Sequence, residues 1–343
     1  MNKLHAAVTA IAYHLPSGTL TNEELAKDFP EWTAERIQDK TGINIRHVVQ
    51  GDECASDLAV KAAEKLFRER NIDPKSLDFL LLCTQSPDYF LPTTACILQD
   101  RLGLPTTAGA LDFNLGCSGF IYGLGLAKGL VETGQARRVL LITAETYSKH
   151  IHPQDRSVRT IFGDAAAATL IEAIEGEGEY IGPFVYGTDG RGAPNLIVPS
   201  GGMRTARSGA TAEIVTDESG NIRSRDNLFM NGPEIFTFTM DAVPSLVAET
   251  IEKAELTPDL IDHYVFHQAN GYMLNFLRKK ARIPKEKFVE VMNFCGNTVS
   301  STIPIALSEM DREKKLKQGQ TLLLVGFGVG YSWGACVIRW SRG

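Results

Sequence analysis

The stretch LDFNLGCSGF, residues 111–120, decides the fold and the chemistry that we expect of this chain. The apolar run 108–113 is typical of a buried strand, and the small-residue run 118–129 is typical of a closely packed helix. Cys117 stands at their junction, where the free N–H groups and the dipole of a helix N-terminus favour an anion. This position predicts a lowered thiol pKa and a nucleophilic thiolate. A buried structural cysteine is the alternative, since free cysteines are among the most buried residue types.

The two halves of the chain resemble each other. Three pairs of apolar segments share their order along the sequence: 71–86 with 255–270, 134–148 with 319–332, and 163–171 with 333–340. The first two pairs also share nearly the same offset, whereas the shorter offset of the third places extra residues in the first half, near 148–162. Chance similarity between buried strands is the alternative, because such strands are all rich in Val, Ile and Leu. The shared order and offset favour a duplicated unit.

Helical and strand patterns alternate in the first half. Helices are expected at 55–70 and 93–103, and strands at 78–84, 108–113 and 138–144. This alternation predicts an α/β fold with two mostly buried sheets and helices packed on them.

We divide the chain into an N-terminal half, 1–175, which carries Cys117, and a C-terminal half, 176–343. Within the second half, 186–227 is rich in Gly, Ser, Arg and Asp and has little periodicity. It predicts a loop-rich excursion, either a cover over a substrate entrance or an ordinary surface insertion.

Composition excludes several classes of protein. The 343 residues carry a net charge of −6 with 43% hydrophobic residues, and no basic patch suggests nucleic-acid binding. No apolar run approaches the roughly 18 residues of a membrane span. The start, 1–16, reads as a first strand rather than a signal peptide. Six cysteines without CxxC spacing argue against a zinc site or a disulfide framework and indicate a cytoplasmic protein.

Two further residues lie where the repeat predicts strand or helix ends. His267 ends the strand-like segment VFHQAN, with Asn270 just past it. Asn297 precedes a helix predicted at 299–310, the counterpart of the helix that follows Cys117. Singly, these residues read as a satisfied core histidine, a capping asparagine and a buried thiol. At equivalent strand ends of a duplicated fold, they are together a candidate site for thiol catalysis.

At these residues the chain resembles the β-ketoacyl-acyl-carrier-protein synthase III family of thiolase-fold condensing enzymes. Five segments resemble that family's signatures in order: GCSGF (116–120), IFGDAAAA (161–168), HQAN (267–270), GNTVSSTIP (296–304) and GFGVGYSWGA (326–335). The resemblance implies a thiolase-like fold in which two pseudo-symmetric halves form five layers, αβαβα. It also implies a catalytic triad of Cys117, His267 and Asn297.

The resemblance further implies a two-step reaction. Cys117 takes an acyl group from a thioester, with backbone N–H groups at Cys117 and Gly328 holding the oxyanion. A malonyl thioester then loses CO2, and donors from His267 and Asn297 stabilise the enolate that attacks the acyl group. Because decarboxylation creates the carbanion without a base, donors suffice. No metal or cofactor is implied, and coenzyme A enters as a thioester substrate.

Several positions bear on the substrate. Arg156 matches a family arginine that contacts coenzyme A, although a surface salt bridge is the alternative. Arg36 and Lys40 stand where the family has a Trp and an Arg that grip the nucleotide, which predicts a cation in place of an aromatic surface. Asn270 is expected to contact substrate. Leu91 replaces a Phe that the family's partner subunit lends to the acyl pocket, which predicts a different and bulkier acyl group.

The resemblance implies a homodimer with acyl-CoA or acyl-carrier-protein thioesters as partners. Two basic positions of the family fall on Tyr272 and Thr237, while 278–280 supplies basic residues for an acidic carrier or for a solvated helix face. The expected pathway is fatty-acid biosynthesis or a specialised acyl or secondary-metabolite pathway; these departures count against a fatty-acid-initiating role and are compatible with the specialised pathway. Acyl transfer to an amine or hydroxyl without condensation is the alternative function. A non-enzymatic scaffold is disfavoured because all three triad residues are present.

Overall fold

The computed structural model describes residues 4–176 and 178–342. The strands of this part, numbered in chain order, are β1 Leu4–His14, β2 Gly18–Thr21, β3 Ile45–Val48, β4 Phe79–Cys83, β5 Gly109–Phe113, β6 Arg138–Glu145, β7 Ala165–Glu175, β8 Ile181–Thr188, β9 Leu196–Ile197, β10 Val215–Thr216, β11 Ile222–Arg223, β12 Phe229–Met230, β13 His263–Phe266, β14 Thr321–Gly328 and β15 Ser332–Arg339. Its α-helices are α1 Asn22–Asp28, α2 Ala34–Thr41, α3 Ala55–Arg70, α4 Thr94–Arg101, α5 Gly119–Glu132, α6 Arg156–Arg159, α7 Gly232–Lys253, α8 Gly271–Lys280 and α9 Thr302–Arg312.

The first large sheet has the strand order β1-β7-β6-β4-β5. Strand β4 pairs in parallel with β5 and β6, while β7 runs antiparallel to both β6 and β1. The central strands are almost wholly buried, which explains why their sequences are continuously apolar rather than alternating.

The second large sheet repeats this pattern in the order β13-β14-β15-β8. Strands β13 and β14 are parallel, and β15 is antiparallel to β14 and β8, as β7 is to β6 and β1. The counterpart of β5 is reduced to one isolated bridge between Tyr264 and Phe288. This shared pairing supports the internal duplication.

Residues 146–164 connect β6 to β7, whereas 329–331 connect β14 to β15. The extra residues of the first half therefore lie where the third repeat pair predicts them. The proposed division after residue 175 falls between β7 and β8 and stays a prediction.

Helices cover and separate the two sheets. Helices α3 and α4 pack on the outer face of the first sheet, α5 and α9 lie between the sheets, and α7 covers the outer face of the second. The small residues of α5 permit this close packing, since a Cβ on Gly123 would lie 2.6 Å from Leu141 Cδ1. The five layers αβαβα confirm the predicted thiolase-like fold.

The region 186–227 contains the short strands β9, β10 and β11 and a 3-10 turn, Gly190–Asn195, joined by loops. Within the described residues, no helix combines the length and the apolar character needed to cross a membrane.

Candidate active site

Cys117 lies between β5 and α5, as predicted, and is 5% exposed. Strand β14 of the second sheet passes directly against it. A Cβ built on Gly328 would lie 2.9 Å from the Cys117 Sγ, and one on Gly326 would lie 2.8 Å from the Ser118 Cα. Glycine at these two positions therefore allows the second half of the chain to approach the sulfur.

Burial raises the pKa of Cys117 to about 12, and the nearby Glu145 adds to this increase. The backbone N–H groups of Cys117 and Val329 hydrogen-bond to the sulfur and oppose this increase in the pKa. The predicted lowering of this pKa is wrong, because desolvation of a wholly buried sulfur outweighs the donors at the helix start. Val329 therefore contributes an N–H group beside Sγ, and the expectation that the Cys117 and Gly328 N–H groups hold the oxyanion stays a prediction.

His267 directly follows β13 and is 2% exposed. Its Nδ1 lies 2.7 Å from the Thr302 Oγ1 at the start of α9, and the Phe327 ring meets the imidazole edge-on. Burial lowers the pKa of His267 to about 3. The imidazole is therefore neutral at physiological pH.

The backbone of Asn297 is held by the segment that precedes β7. Its N–H donates to the Ile161 carbonyl at 3.0 Å, and the Gly163 N–H donates to the Asn297 carbonyl at 3.0 Å. This pairing forms a short parallel bridge across Phe162. The long connection 146–164 of the first half therefore contacts the second half of the chain at Asn297.

The side chain of Asn297 points toward His267. Its Nδ2 lies 3.4 Å from the His267 Nε2 and donates to the Ala269 carbonyl at 3.3 Å. The Val299 N–H donates to the Asn297 Oδ1 at 2.9 Å, which fixes the orientation of the amide. Val299 has φ 57°, a left-handed conformation that is strained for a β-branched residue.

Cys117, His267 and Asn297 line one cavity of about 410 Å³, together with Gly328 and Asn270. Most of its other walls are apolar: Phe162, Leu196, Met230, Ile235, Phe236 and Phe327. The structure therefore brings together the three residues that the duplicated sequence predicts. Asn270 also caps α8, because its Oδ1 accepts from the Met273 N–H at 2.8 Å.

A second cavity, of about 580 Å³, adjoins the first and shares Ile161, Asn270 and Tyr272 with it. Its walls include Trp32, Lys40 and Arg156. The second cavity therefore lies directly beside the one that contains Cys117.

Three cations surround the Trp32 ring; two of them, Lys40 and Arg156, line the second cavity with it, whereas the predicted substrate residue Arg36 does not. The Lys40 Nζ lies 4.7 Å from the ring centroid, and the Cζ atoms of Arg36 and Arg156 lie at 4.9 and 5.0 Å. Arg156 also pairs with Glu31. The prediction that a cation replaces the aromatic surface is wrong, since Trp32 supplies that surface. Arg36 and Lys40 are spaced by four within α2 and therefore share one face of the helix, and Trp32 directly precedes its N-cap Thr33. The spacing by four of these three residues was a signal visible in the sequence.

Leu91 lines neither cavity and is 82% exposed. It stands beside Tyr89 and Phe90, which are also exposed, at the tip of the loop between β4 and α4. Within the described part of one chain, Leu91 therefore lies outside both cavities of the candidate site, and its predicted role in the acyl pocket stays a prediction.

Glu145 is a residue that the sequence analysis did not single out. It ends β6, is fully buried, and accepts hydrogen bonds from the Gln85 N–H at 3.0 Å and the hydroxyls of Ser300 and Ser86 at 2.9 and 3.3 Å. Burial raises its pKa to about 8. A carboxyl group therefore lies near Cys117. The acidic residue at the end of the apolar run RVLLITAE, 138–145, could have indicated it in the sequence.

A cysteine, a histidine and an asparagine that converge between two duplicated sheets define the class of thiolase-fold condensing enzymes. Residues 111–190 match the family model described as 3-Oxoacyl-[acyl-carrier-protein (ACP)] synthase III, and residues 251–340 match its C-terminal model. The chain is 36% identical over 340 residues to a beta-ketoacyl-[acyl-carrier-protein] synthase III of Caldanaerobacter subterraneus, covering 99% of each chain.

Solved structures agree with this assignment. A crystal structure of a 3-oxoacyl-(acyl-carrier-protein) synthase III is 54% identical with a TM-score of 0.97, covering 98% of this chain and 100% of the other. A 3-oxoacyl-(acyl-carrier protein) synthase of Burkholderia xenovorans LB400 is 38% identical with a TM-score of 0.90, covering 99% and 95%. The chain belongs to the 3-oxoacyl-[acyl-carrier-protein] synthase III family, as predicted. It is an acyl-transferring condensing enzyme.

Proposed function

We propose that this enzyme acylates Cys117 from an acyl thioester and condenses the bound acyl group with a malonyl thioester to form a 3-oxoacyl product. The observation that carries the proposal is the single cavity shared by Cys117, His267 and Asn297. In the proposed reaction, both thioesters enter this cavity in turn and react at the Cys117 sulfur.

In the first half-reaction, the Cys117 sulfur attacks the thioester carbonyl. Its thiol proton leaves with the released thiol, so that one thioester is exchanged for another. Negative charge develops on the acyl oxygen, and the N–H groups of Cys117 and Val329 that already face the sulfur are placed to stabilise it. In this scheme Gly328, which has no side chain, leaves room for an acyl group on the Cys117 sulfur.

In the second half-reaction, the malonyl thioester loses CO2 and charge builds on its thioester oxygen. Neutral His267 and the Asn297 Nδ2 are suitable donors to that oxygen. The Thr302 Oγ1 lies 2.7 Å from Nδ1 and 3.1 Å from the Val299 carbonyl. The donor role proposed for His267 requires that this hydroxyl donates to Nδ1 rather than to the carbonyl, so that the ring proton is on Nε2. The enolate carbon then attacks the acyl carbonyl, the C–S bond breaks, and the Cys117 thiolate takes up a proton.

The second cavity suits the nucleotide end of a coenzyme A thioester. Lys40 and Arg156 provide cations for phosphate groups, and the Trp32 ring provides a flat surface for a base. We therefore take an acyl-CoA as the donor. The largely apolar walls of the first cavity suit its acyl chain and pantetheine arm.

Two surfaces support protein partners. Strand β5 forms a free edge of the first sheet, and the exposed apolar tip 89–91 lies on the same half, which supports a homodimer. At the mouth of the first cavity, α8 exposes Tyr272 and Phe276 and continues into the basic run 278–280. We propose that this face receives an acidic acyl carrier protein.

The two half-reactions can be measured separately. We expect Cys117→Ala to form no acyl adduct by intact mass spectrometry, whereas Cys96→Ala, which removes an exposed thiol, acylates normally. His267→Ala and Asn297→Ala are expected to keep the adduct and to release CO2 from the malonyl donor about 100- to 1000-fold more slowly.

A stoichiometric acyl adduct in the active site of the Cys117→Ala variant would show that Cys117 is not the nucleophile. Equal loss of both half-reactions in the His267 and Asn297 variants would instead favour acyl transfer to an amine or hydroxyl without condensation.

A further inference from the structure

A short turn before α9 supports both donors of the proposed condensation. The turn is the 3-10 segment Val299–Ser301, and Thr302 follows it as the first residue of α9. The Val299 N–H donates to the Asn297 Oδ1 at 2.9 Å, and the Thr302 Oγ1 lies 2.7 Å from the His267 Nδ1. A movement of this turn would therefore move both donors relative to the reacting sulfur.

The turn contains strained backbone that its neighbours must hold in place. Val299 has φ 57°, and a β-branched residue keeps such a conformation only where surrounding contacts fix it. The Ser301 Oγ donates to the Thr143 carbonyl at 3.1 Å, and the Ser300 Oγ donates to the Glu145 Oε1 at 2.9 Å. Both acceptors lie on β6, so this strand of the first sheet holds the turn of the second half.

Glu145 also binds a loop of the first half. Its Oε2 accepts from the Gln85 N–H at 3.0 Å and from the Ser86 hydroxyl at 3.3 Å. Gln85 packs against the residue just before Cys117, because a Cβ on Gly116 would lie 2.6 Å from the Gln85 Oε1. One carboxyl group therefore connects the surroundings of the nucleophile with the turn that supports the donors.

The contacts of Glu145 indicate how it acts. It lines neither cavity of the candidate site. Burying a carboxyl group costs free energy unless donors satisfy it, and here donors from two distant segments converge on it. Its effect on the reaction must therefore pass through the segments that it joins.

We propose that Glu145 is a positioning residue for the condensation and that it acts through Ser300. It keeps the donors of His267 and Asn297 at a fixed distance from the sulfur that carries the acyl group. This inference rests on the proposed function, because it concerns the half-reaction in which the malonyl thioester loses CO2. Acylation, which uses the sulfur and its neighbouring N–H groups, does not depend on the link.

Ser300→Ala removes the link and leaves the carboxyl group with its donors from the first half. We expect the pre-acylated variant to release CO2 from a malonyl donor about 10-fold more slowly than the wild type, because small displacements of positioned groups slow a reaction strongly. The acyl adduct should form at the wild-type rate by intact mass spectrometry. Thr250→Val is the matched control: it removes one buried hydroxyl from α7, outside both cavities, and should change neither half-reaction.

Two variants of Glu145 itself complete the test. Glu145→Met has a similar shape but no acceptor of comparable strength, and we expect it to release CO2 about 10- to 100-fold more slowly. Glu145→Gln should restore most of the rate, because its amide oxygen accepts from the Gln85 N–H and its amide N–H donates to the Ser300 hydroxyl. The double variant Glu145→Met/Ser300→Ala should be no slower than Glu145→Met, since the link is already absent.

An unchanged rate of CO2 release in Ser300→Ala, or equal slowing of both half-reactions, would overturn the inference, whether or not Glu145→Met folds. A further loss in the double variant as large as that of Ser300→Ala alone would show that Glu145 does not act through Ser300. Absence of CO2 release by the acylated wild-type enzyme would overturn the proposed function instead.

Discussion

Burial governs the ionisation of the side chains around the sulfur. It raises the pKa of Cys117 and of Glu145 and lowers that of His267, so that each group is favoured in its neutral form. The site therefore contains little fixed charge, and the developing charge of the reaction meets oriented N–H donors. Such donors stabilise charge as it forms without first stabilising the substrate.

Glu145→Gln tests the cost of the buried carboxyl group. The pKa of folded Glu145, about 8, lies above its ordinary value, so its contribution to stability is present at low pH and is lost as the pH rises toward 8. We expect the free energy of unfolding of the wild type to fall relative to Glu145→Gln between pH 5 and pH 8, by at most about 1.4 kcal/mol per pH unit. Denaturant titrations at both pH values measure this, and a constant difference between the two proteins would contradict it.

At the scale of elements, the site depends on how closely β14 approaches the start of α5. The approach requires glycine at 326 and 328, since side chains there would collide with Ser118 and Cys117. A second element contact comes from Arg46 of β3, which is fully buried and donates through Nε to the Thr160 carbonyl at 2.9 Å. This hydrogen bond fixes the chain at Thr160, directly before the segment 161–163 that pairs with Asn297.

Gly328→Ala is expected to slow acylation of Cys117 about 100-fold, because its Cβ would displace the sulfur from the attack geometry. The measurement is the rate of adduct formation by mass spectrometry. Gly129→Ala is the matched control: its Cβ meets nothing within 4 Å on α5, and it should stabilise the protein by about 0.5–1 kcal/mol with an unchanged acylation rate. A Gly328→Ala enzyme that acylates at the wild-type rate would show that β14 is not held against the sulfur.

For the whole molecule, the proposed homodimer would cover the tip 89–91 and the free edge of β5. In a two-fold interface each substitution occurs twice, and burying one large apolar side chain contributes about 1.5–3 kcal/mol. Leu91→Asp is therefore expected to raise the dimer dissociation constant at least about 100-fold in sedimentation experiments. Met203→Asp, at an apolar position in the excursion that is even more exposed than Leu91, should leave it unchanged. An unchanged constant for Leu91→Asp would place the tip outside the interface.

The positions of β4 and β6 were readable from the sequence because buried strands leave continuous apolar runs. The prediction that 108–113 is a buried strand was wrong in its burial, since β5 is a partly exposed edge strand. The repeats also predicted that His267 and Asn297 lie at ends equivalent to the position of Cys117. Glu145 was missed because it lies far along the chain from Cys117, the residue that gives it significance. Trp32 was missed although its spacing from Arg36 and Lys40 was visible in the sequence, and of its three cations Arg156 alone is distant along the chain.

The sequence by itself determined the α/β alternation, which follows from periodicity between near neighbours in the chain. It also indicated the duplication and the three reactive side chains, through segments repeated between the two halves and through the family resemblance. The tertiary structure alone decided that the Cys117 pKa is raised, that Trp32 gathers three cations, and that Glu145 connects the two halves of the chain. Desolvation and long-range contacts depend on which distant segments meet, and a linear pattern does not encode the depth at which they meet.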